Sequence, residues 1–427
     1  MSKSLTRSKD CEVVPAPAMA TVQIPLPMAA ILQDAKQGLL ELMVSTGVQV
    51  FEAMLEQDRE ALCGPRWQRK PERCAVRGGS TRSAVTLGGR RMTIQRPRAR
   101  GERELALPSF TWASGRDPLD ERTVEAIALG VSSRDYRRSL EALPSDVEER
   151  SVSRSSVSRR FVALSAERLA AWMGRPLGEL DLRVVLVDGL HFREHVVLIA
   201  LGIDGDGRKH VLGLREGTTE NAAVARALLA DLVERGLDAN QVRLFGVDGA
   251  KALSKALMEV FGDRAIVQRC QVHKERNVLE HLPERMRPSV RRAIRQAYAS
   301  EDAALAQRQL ERLADSLDRN HPGAAASLRE GLEETLTLQR LGITGALYRT
   351  LRSTNAIENM NGLIGRFTRN VKRWRDGAMI VRWIAAGISE AQRRFRRIRG
   401  HRDLDRLLHA IERHQEPKTL AHEKRVA

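Results

Sequence analysis

Aromatic residues are scarce in this chain, 4% of its 427 residues. Proteins that grip single strands stack bases on aromatic platforms, so a protein of that kind is not expected. Cysteine is scarcer still: Cys11, Cys63, Cys74 and Cys270 are too few and too scattered for a disulfide framework, which points to a reducing compartment. No apolar run approaches the ~20 residues that span a bilayer. The first 30 residues carry Asp10, Glu12 and several prolines, unlike a signal peptide. A soluble, intracellular protein is the expectation.

Positive charge is abundant. Lys and Arg number 71 against 54 Asp and Glu, a net charge of +17. Each neutralised phosphate releases condensed counterions, so such a chain favours a polyanionic partner. Charge alone does not separate ribosomal, membrane-surface and nuclease proteins, but its distribution says more. Arg66 to Arg103 is almost free of acids, and Arg393, Arg394, Arg396, Arg397, Arg399 and Arg402 form a second basic block. Two separated basic segments suit contact with DNA at several places. The length allows two or three domains.

Residues 1–30 are Pro/Ala-rich and read as poorly ordered. Val48, Phe51, Leu55 and Leu62 recur at helical spacing. SAVTLGGRRMTIQ reads as a hairpin turning at Gly88-Gly89, either a DNA-contacting ribbon or a solvated charged hairpin. Residues 117–175 read as helices: one over Glu121–Leu129, one capped by Ser132 with Asp135 in capping-box spacing, and one from Ser153. The last carries Arg154, Arg159 and Arg160 in its first turns, where a helix-turn-helix reads bases. Ordinary three-helix packing explains the same pattern.

At Arg183 the pattern becomes that of a buried sheet. VVLVD, HVVLIALGI, RKHVLGL, VRLFGVD and AIVQ read as five strands, with helices over Thr219–Arg235 and Lys251–Phe261, a mixed α/β arrangement. Asp204-Gly205-Asp206-Gly207 lacks the remaining ligands of a calcium loop and reads as a turn. From residue 274 to about 340 the chain is helical and charged, without strand signals.

Asp188 and Asp248 both end apolar strand-like runs and both precede glycine. On neighbouring strands their carboxylates would share one sheet edge, and Glu358, on a helix, would complete a hard oxygen site suited to Mg²⁺ or Mn²⁺. Two such ions can drive an in-line phosphoryl displacement. Each acid alone is weak evidence, because strand-Asp-Gly is common turn chemistry and helix glutamates are usually solvated. Cys270 and His273 form a Cys-x-x-His pair without a partner pair at zinc spacing, so a structural zinc is not expected; His273 would instead sit near DNA phosphate or metal, or the two would form a buried, satisfied pair. Arg269, Lys274 and Arg276 beside them would either hold phosphates or form a solvated basic face.

The segment VDGAKALSKALMEVFGDRAIVQRCQVHKERNVLEHLP closely resembles the signature of Mutator-type bacterial insertion-sequence transposases. VVLVDGLHFREH resembles the family's first catalytic segment and RSTNAIENMNGLIGRFTRNVKRWRDG its third, the likeness running from about residue 40 to 400. The resemblance implies a DDE transposase with an RNase H-like mixed-sheet core, in which Asp188, Asp248 and Glu358 hold two Mg²⁺ or Mn²⁺ ions. It also implies an all-α insertion between Asp248 and Glu358, and N-terminal helices that read the element's terminal inverted repeats. Double-stranded DNA would be the partner, probed also by the basic residues Arg369, Lys372 and Arg373 in the third segment. A homodimer on DNA and a cytoplasmic, nucleoid-associated location follow from the same likeness.

The domains expected are 31–115, a helix and basic hairpin; 116–178, helix-turn-helix-like; 179–273 and 346–400, the two parts of the core; 274–345, the insertion; and 401–427, a basic tail. Three alternatives stay open: a domesticated DNA-binding protein, a nuclease on the same core that joins no strands, and a basic scaffold or nucleic-acid chaperone indifferent to divalent metal.

Overall fold

The computed structural model describes residues 35–414 except 69–72, 88, 116, 118–119, 141–148, 151–152, 193, 218–220 and 370. The Pro/Ala-rich first 30 residues and the end of the basic tail lie outside the described residues. The chain divides into two compact units, Met1–Ser165 and Ala166–Ala427.

In the first unit, helix α1 (Ala35–Cys63) buries Phe51, Leu55 and Leu62 in one cluster with Val85, Ile94, Ala99 and Leu107. The hairpin is longer than expected. Strands β1 (Val76–Leu87) and β2 (Arg90–Arg100) pair antiparallel with Leu87 opposite Arg90, which leaves a two-residue connection. Gly89 takes φ +84 there, and a Cβ on it would lie 2.3 Å from the Tyr136 hydroxyl. Strands β3 (Glu104–Leu105) and β4 (Glu149–Arg150) both pair with β2.

Helices α2 (Pro108–Gly115) and α3 (Asp120–Ala128) follow. Ser132 Oγ accepts from Asp135 N at 3.1 Å, as in the expected capping box, but Asp135 Oδ2 accepts from the Ser132 hydroxyl at 2.7 Å rather than from its backbone amide. The turn they cap is a 3₁₀ turn at Tyr136–Ser139 rather than an α-helix. Helix α4 (Arg154–Met173) begins well beyond it. The described residues therefore lack the three- to four-residue connection of a helix-turn-helix between α3 and α4.

The second unit is built on a five-stranded mixed sheet in the order β7 (Lys209–Gly217), β6 (His195–Asp204), β5 (Leu182–Phe192), β8 (Arg243–Val247), β9 (Ala265–Arg269). Strands β5 (Leu182–Phe192), β6 (His195–Asp204) and β7 (Lys209–Gly217) form an antiparallel meander. Strand β8 (Arg243–Val247) pairs parallel with β5, and β9 (Ala265–Arg269) pairs parallel with β8. The two crossovers are α5 (Ala222–Glu234), capped by Asn221, and α6 (Lys251–Phe261).

Alternation along the strands sends even and odd residues to opposite faces. Val185, Val187, Phe245 and Val247 pack with Leu228, Leu232, Leu253 and Leu257 of α5 and α6. Val184, Leu186, Leu244 and Ile266 pack on the other face with Ile357, Met360, Ile364, Ile384 and Ile388. Those last residues belong to α14 (Asn355–Thr368) and α15 (Gly377–Arg393), so the sheet is covered on both sides.

Between β9 and the return to that face, the described residues are helical and without strands. They comprise α7 (Gln271–Glu280), α8 (Arg287–Tyr298), α9 (Ala303–Asp318), α10 (Pro322–Arg329), α11 (Leu332–Thr335), α12 (Thr337–Arg340) and α13 (Gly345–Leu351). Helices α7 to α11 carry a core of their own, including Val278, Ile294, Leu310 and Leu328. Helices α14 (Asn355–Thr368) and α15 (Gly377–Arg393) then cover the sheet.

Two expectations need correction. The apolar run at VVLVD does not end at Asp188: Gly189 to Phe192 stay paired with β6, so Asp188 lies inside β5 opposite Ile199. Residues from 401 are not all tail. Residues 404–414 are helical, and Leu404, Leu407 and Ile411, at helical spacing, are buried in the main core.

The Asp248-Gly249 step is a true turn. Gly249 takes φ +106, and a Cβ there would meet Arg269 Nε at 1.9 Å. Gly249→Ala is expected to cost about 2–4 kcal/mol of stability, from the left-handed backbone and the clash together. Denaturant unfolding measures it, and a loss below about 0.5 kcal/mol, the range of an ordinary surface change, would contradict this account of the turn.

Candidate active site

Strand register brings the two aspartates together. Leu186 on β5 faces Gly246 on β8, so two residues further on Asp188 and Asp248 stand at the same level. Both have the parity of Val184, Leu186 and Leu244, so both point to the face that α14 covers. Helix α14 supplies Glu358 in its first turn and Asn361 one turn later. Asn361 Nδ2 donates to Asp188 Oδ2 at 2.7 Å. Asp248 Oδ1 accepts from Ala250 N at 2.9 Å, and Thr354 Oγ1 donates to Glu358 Oε1 at 2.6 Å.

The third strand brings in the Cys-x-x-His pair. Val247 faces Arg269, and Cys270 N donates to Val247 O at 2.8 Å, which sets Cys270 beside Asp248. Cys270 is buried and caps α7: its Sγ accepts from His273 N and Thr354 N, both at 3.5 Å. It thereby ties the start of α7 to the start of α14. His273 Nδ1 lies 3.4 Å from Thr354 Oγ1 and 3.9 Å from Glu358 Oε1.

Electrostatics follow from this crowding. Burial, and then the charges of Asp248 and Glu358, push the Asp188 carboxyl up to about 6, against the lowering effect of His273 and the Asn361 hydrogen bond. Burial pushes the Cys270 thiol up, but hydrogen bonds from His273 and Thr354 outweigh it and hold the thiol below its ordinary value. The hydrogen bond to Cys270 raises His273, against burial, with the charges of Cys270, Glu358 and Asp248 adding.

Two donor sets meet here. Among the described residues, ligand atoms of Cys270, His273 and Glu358 lie within 4.8 Å of one another. Cys270 Sγ, however, already accepts two backbone hydrogens as a cap. Burial first, and then the charges of Asp248 and Glu358, make the ionised form of Asp188 costly, a cost that a bound divalent cation would offset. Their hard oxygens fit Mg²⁺ or Mn²⁺.

Arg269 and Lys274, read from the sequence as possible phosphate contacts, face inward, which corrects that reading. Arg269 is 5% exposed and donates to Glu330 O at 3.1 Å and to Glu330 Oε2 at 3.3 Å. Lys274 is fully buried, its ammonium held by the carbonyls of Ser327 and Glu330. Burial lowers it to about 8. Both cations close the C-terminal end of α10 rather than meeting solvent. Arg276, Arg369, Lys372 and Arg373 are exposed in the second unit. In the first unit Arg154 and Arg159 are exposed, while Arg160 pairs with buried Asp117 at 3.4 Å.

Sequence reasoning missed Thr354 and Asn361. The signal was present: Thr354, Glu358 and Asn361 recur at i, i+4 and i+7, one face of a helix.

Residues 20–397 match the family described as "Transposase, Mutator family". The chain belongs to that family, a class of proteins that act on DNA. It is similar to the transposase for insertion sequence element ISRM5 of Rhizobium meliloti (strain 1021), 29% identical over 364 residues, 83% of this chain and 88% of that relative. It is similar also to the transposase for insertion sequence element IS6120 of Mycolicibacterium smegmatis, 31% identical over 236 residues, 54% of this chain and 71% of the relative. A third relative is the transposase for insertion sequence element IS256 in transposon Tn4001 of Staphylococcus aureus, 27% identical over 327 residues, 73% of this chain and 80% of the relative.

A carboxyl raised by folding binds its proton more tightly in the native state. Its favourable contribution is present below about pH 4 and is lost as pH rises through about 6. Without divalent metal, Asp188→Asn is therefore expected to stabilise the protein by about 1–3 kcal/mol at pH 7.5 and by little at pH 4. Denaturant unfolding in EDTA at both values checks this; an equal gain at the two would contradict it. Lys274→Ala removes the ammonium from the Ser327 carbonyl and empties a fully buried site, and is expected to cost about 2–4 kcal/mol. A change in DNA affinity without loss of stability would instead return Lys274 to the phosphate role.

Proposed function

We propose that the protein is an active DDE transposase of its insertion sequence. The five-stranded sheet would be an RNase H-like core, a reading supported by an antiparallel meander followed by two parallel strands. The all-helical run between β9 and α14 would be the insertion in that core. The observation that carries the reading is the register: Asp188 inside β5 and Asp248 just past the end of the adjacent β8, two residues beyond the Leu186–Gly246 pair, beneath the helix that bears Glu358.

In this reading Asp188, Asp248 and Glu358 would together hold the divalent ions. Two divalent ions bound there would supply activation of the attacking hydroxyl and stabilisation of the leaving oxygen. The chain's own residues hold the carboxylates in place. The Asn361 amide fixes Asp188, the Ala250 amide fixes Asp248, and the Thr354 hydroxyl fixes Glu358. Preset positions cost nothing to reorganise during reaction.

The first step would be hydrolysis at the element's end, breaking the P–O3′ bond and freeing a 3′-hydroxyl. That hydroxyl would then attack a target phosphorus, joining element to target and releasing the target's 3′-oxygen. The basic first unit, with Arg154 and Arg159 exposed, would bind the terminal inverted repeats, and the exposed Arg276, Arg369, Lys372 and Arg373 would hold phosphates near the site. Two such ends in one complex would require a homodimer on DNA. No helix among the described residues is long and apolar enough to cross a membrane.

The test is incubation with DNA carrying the sequences that flank the gene, with Mg²⁺, with EDTA, and with Asp188→Asn. Metal-dependent cut ends joined to a target, absent in the variant while end-specific binding persists, are expected. Nicks without joined products would favour a nuclease, and binding without cleavage under any metal would favour a DNA-binding protein that has lost the reaction.

A further inference from the structure

Helix α14 turns a row of apolar side chains onto the sheet, with Ile357, Met360 and Ile364 at 0–1% exposure. Asn361 stands in that row at 7% exposure, where packing alone would favour an apolar residue such as leucine. Half of its amide is satisfied, Nδ2 donating to Asp188 Oδ2 at 2.7 Å. The other half is not: Oδ1 is buried and has no hydrogen-bond partner. An orphaned acceptor is costlier than an apolar group of the same shape in its place. Nor can the amide turn over to escape the cost. An ionised carboxylate only accepts, so the NH₂ must face Asp188 and Oδ1 stays beside it. Packing leaves this acceptor unexplained; a donor brought in by a bound group explains it.

We propose that Asn361 is a positioning residue of the cation site. Its Nδ2 fixes the rotamer of Asp188, and its Oδ1 accepts a hydrogen from a water carried by the divalent cation. The inference rests on the reading of Asp188, Asp248 and Glu358 as metal carboxylates. Asn361 lies one turn beyond Glu358 on the same helix face, so a single helix would supply one ligand and orient a second. Groups that orient metal ligands typically change affinity about 10–100-fold when removed.

The test is calorimetric titration of the full chain with MnCl₂, for wild type, Asp188→Asn, Asn361→Leu and Asn361→Ala, with melting of each metal-free protein alongside. The expected result is Mn²⁺ binding by wild type, its loss in Asp188→Asn, and about 10–100-fold weaker binding in both Asn361 variants. Asn361→Leu should melt at or above the wild-type temperature, since it removes the orphan and keeps the volume. A variant with Mn²⁺ affinity within about twofold of wild type, well short of the usual outer-group effect, overturns the inference. So does a lowered melting temperature with affinity intact, the mark of a purely structural amide. Should Asn361→Leu fail to fold, Asn361→Ala carries the same comparison. If wild type and Asp188→Asn bind Mn²⁺ alike, or neither binds, the carboxylate reading fails and this inference with it.

Discussion

The register of β5 against β8 is the constraint on which the site depends. Both strands are buried on both faces, so each residue is committed to one layer. A slip of one residue in β8 would carry Val247 into the layer of α14 and Asp248 into that of α5 and α6. Burial of Phe245 and Val247 on one side and Leu244 on the other forbids it. The position of Asp248 is thus settled by hydrophobic packing several residues upstream, and the polar site inherits its precision from an apolar core.

That precision has a cost, visible at Asp188. Three half-buried carboxylates share one corner, and burial together with the charges of Asp248 and Glu358 pushes the Asp188 carboxyl up to about 6. Around the corner, the structure holds its parts with groups that do not face solvent. Cys270 links the starts of α7 and α14 through two backbone donors. Arg269 and Lys274 meet Glu330, which also lies 3.4 Å from Lys251 Nζ, so β9 and α7 are clamped to the end of α10. The buried cations keep the helical block fixed beside the strand ends that carry the acids.

Much of this was legible in the sequence. The five strands and the helix Lys251–Phe261 follow from apolar runs and periodicity, because strands buried on both faces read as near-continuous Val, Ile and Leu. Asp188, Asp248 and Glu358 were picked out in order, though neither strand adjacency nor parity can be read from runs alone. What failed did so for local reasons. Gly189 looked like a turn residue, yet antiparallel pairing with β6 carries β5 on to Phe192. Arg269 and Lys274 looked like phosphate contacts because their neighbours are basic; their partners, Ser327 and Glu330, lie more than fifty residues downstream. Leu404, Leu407 and Ile411 were hidden by the arginines before them. Asn361 passed as one more polar residue in a polar segment until its neighbours on the helix proved to be core.

The claim at the centre is that the cation sits on the carboxylates of β5, β8 and α14 and not on the Cys-x-x-His pair. Anomalous diffraction from crystals grown with Mn²⁺ tests it most directly. The account predicts anomalous density within coordinating distance of Asp188, Asp248 and Glu358. Density centred on Cys270 Sγ and His273, with the aspartates uncoordinated, would contradict it.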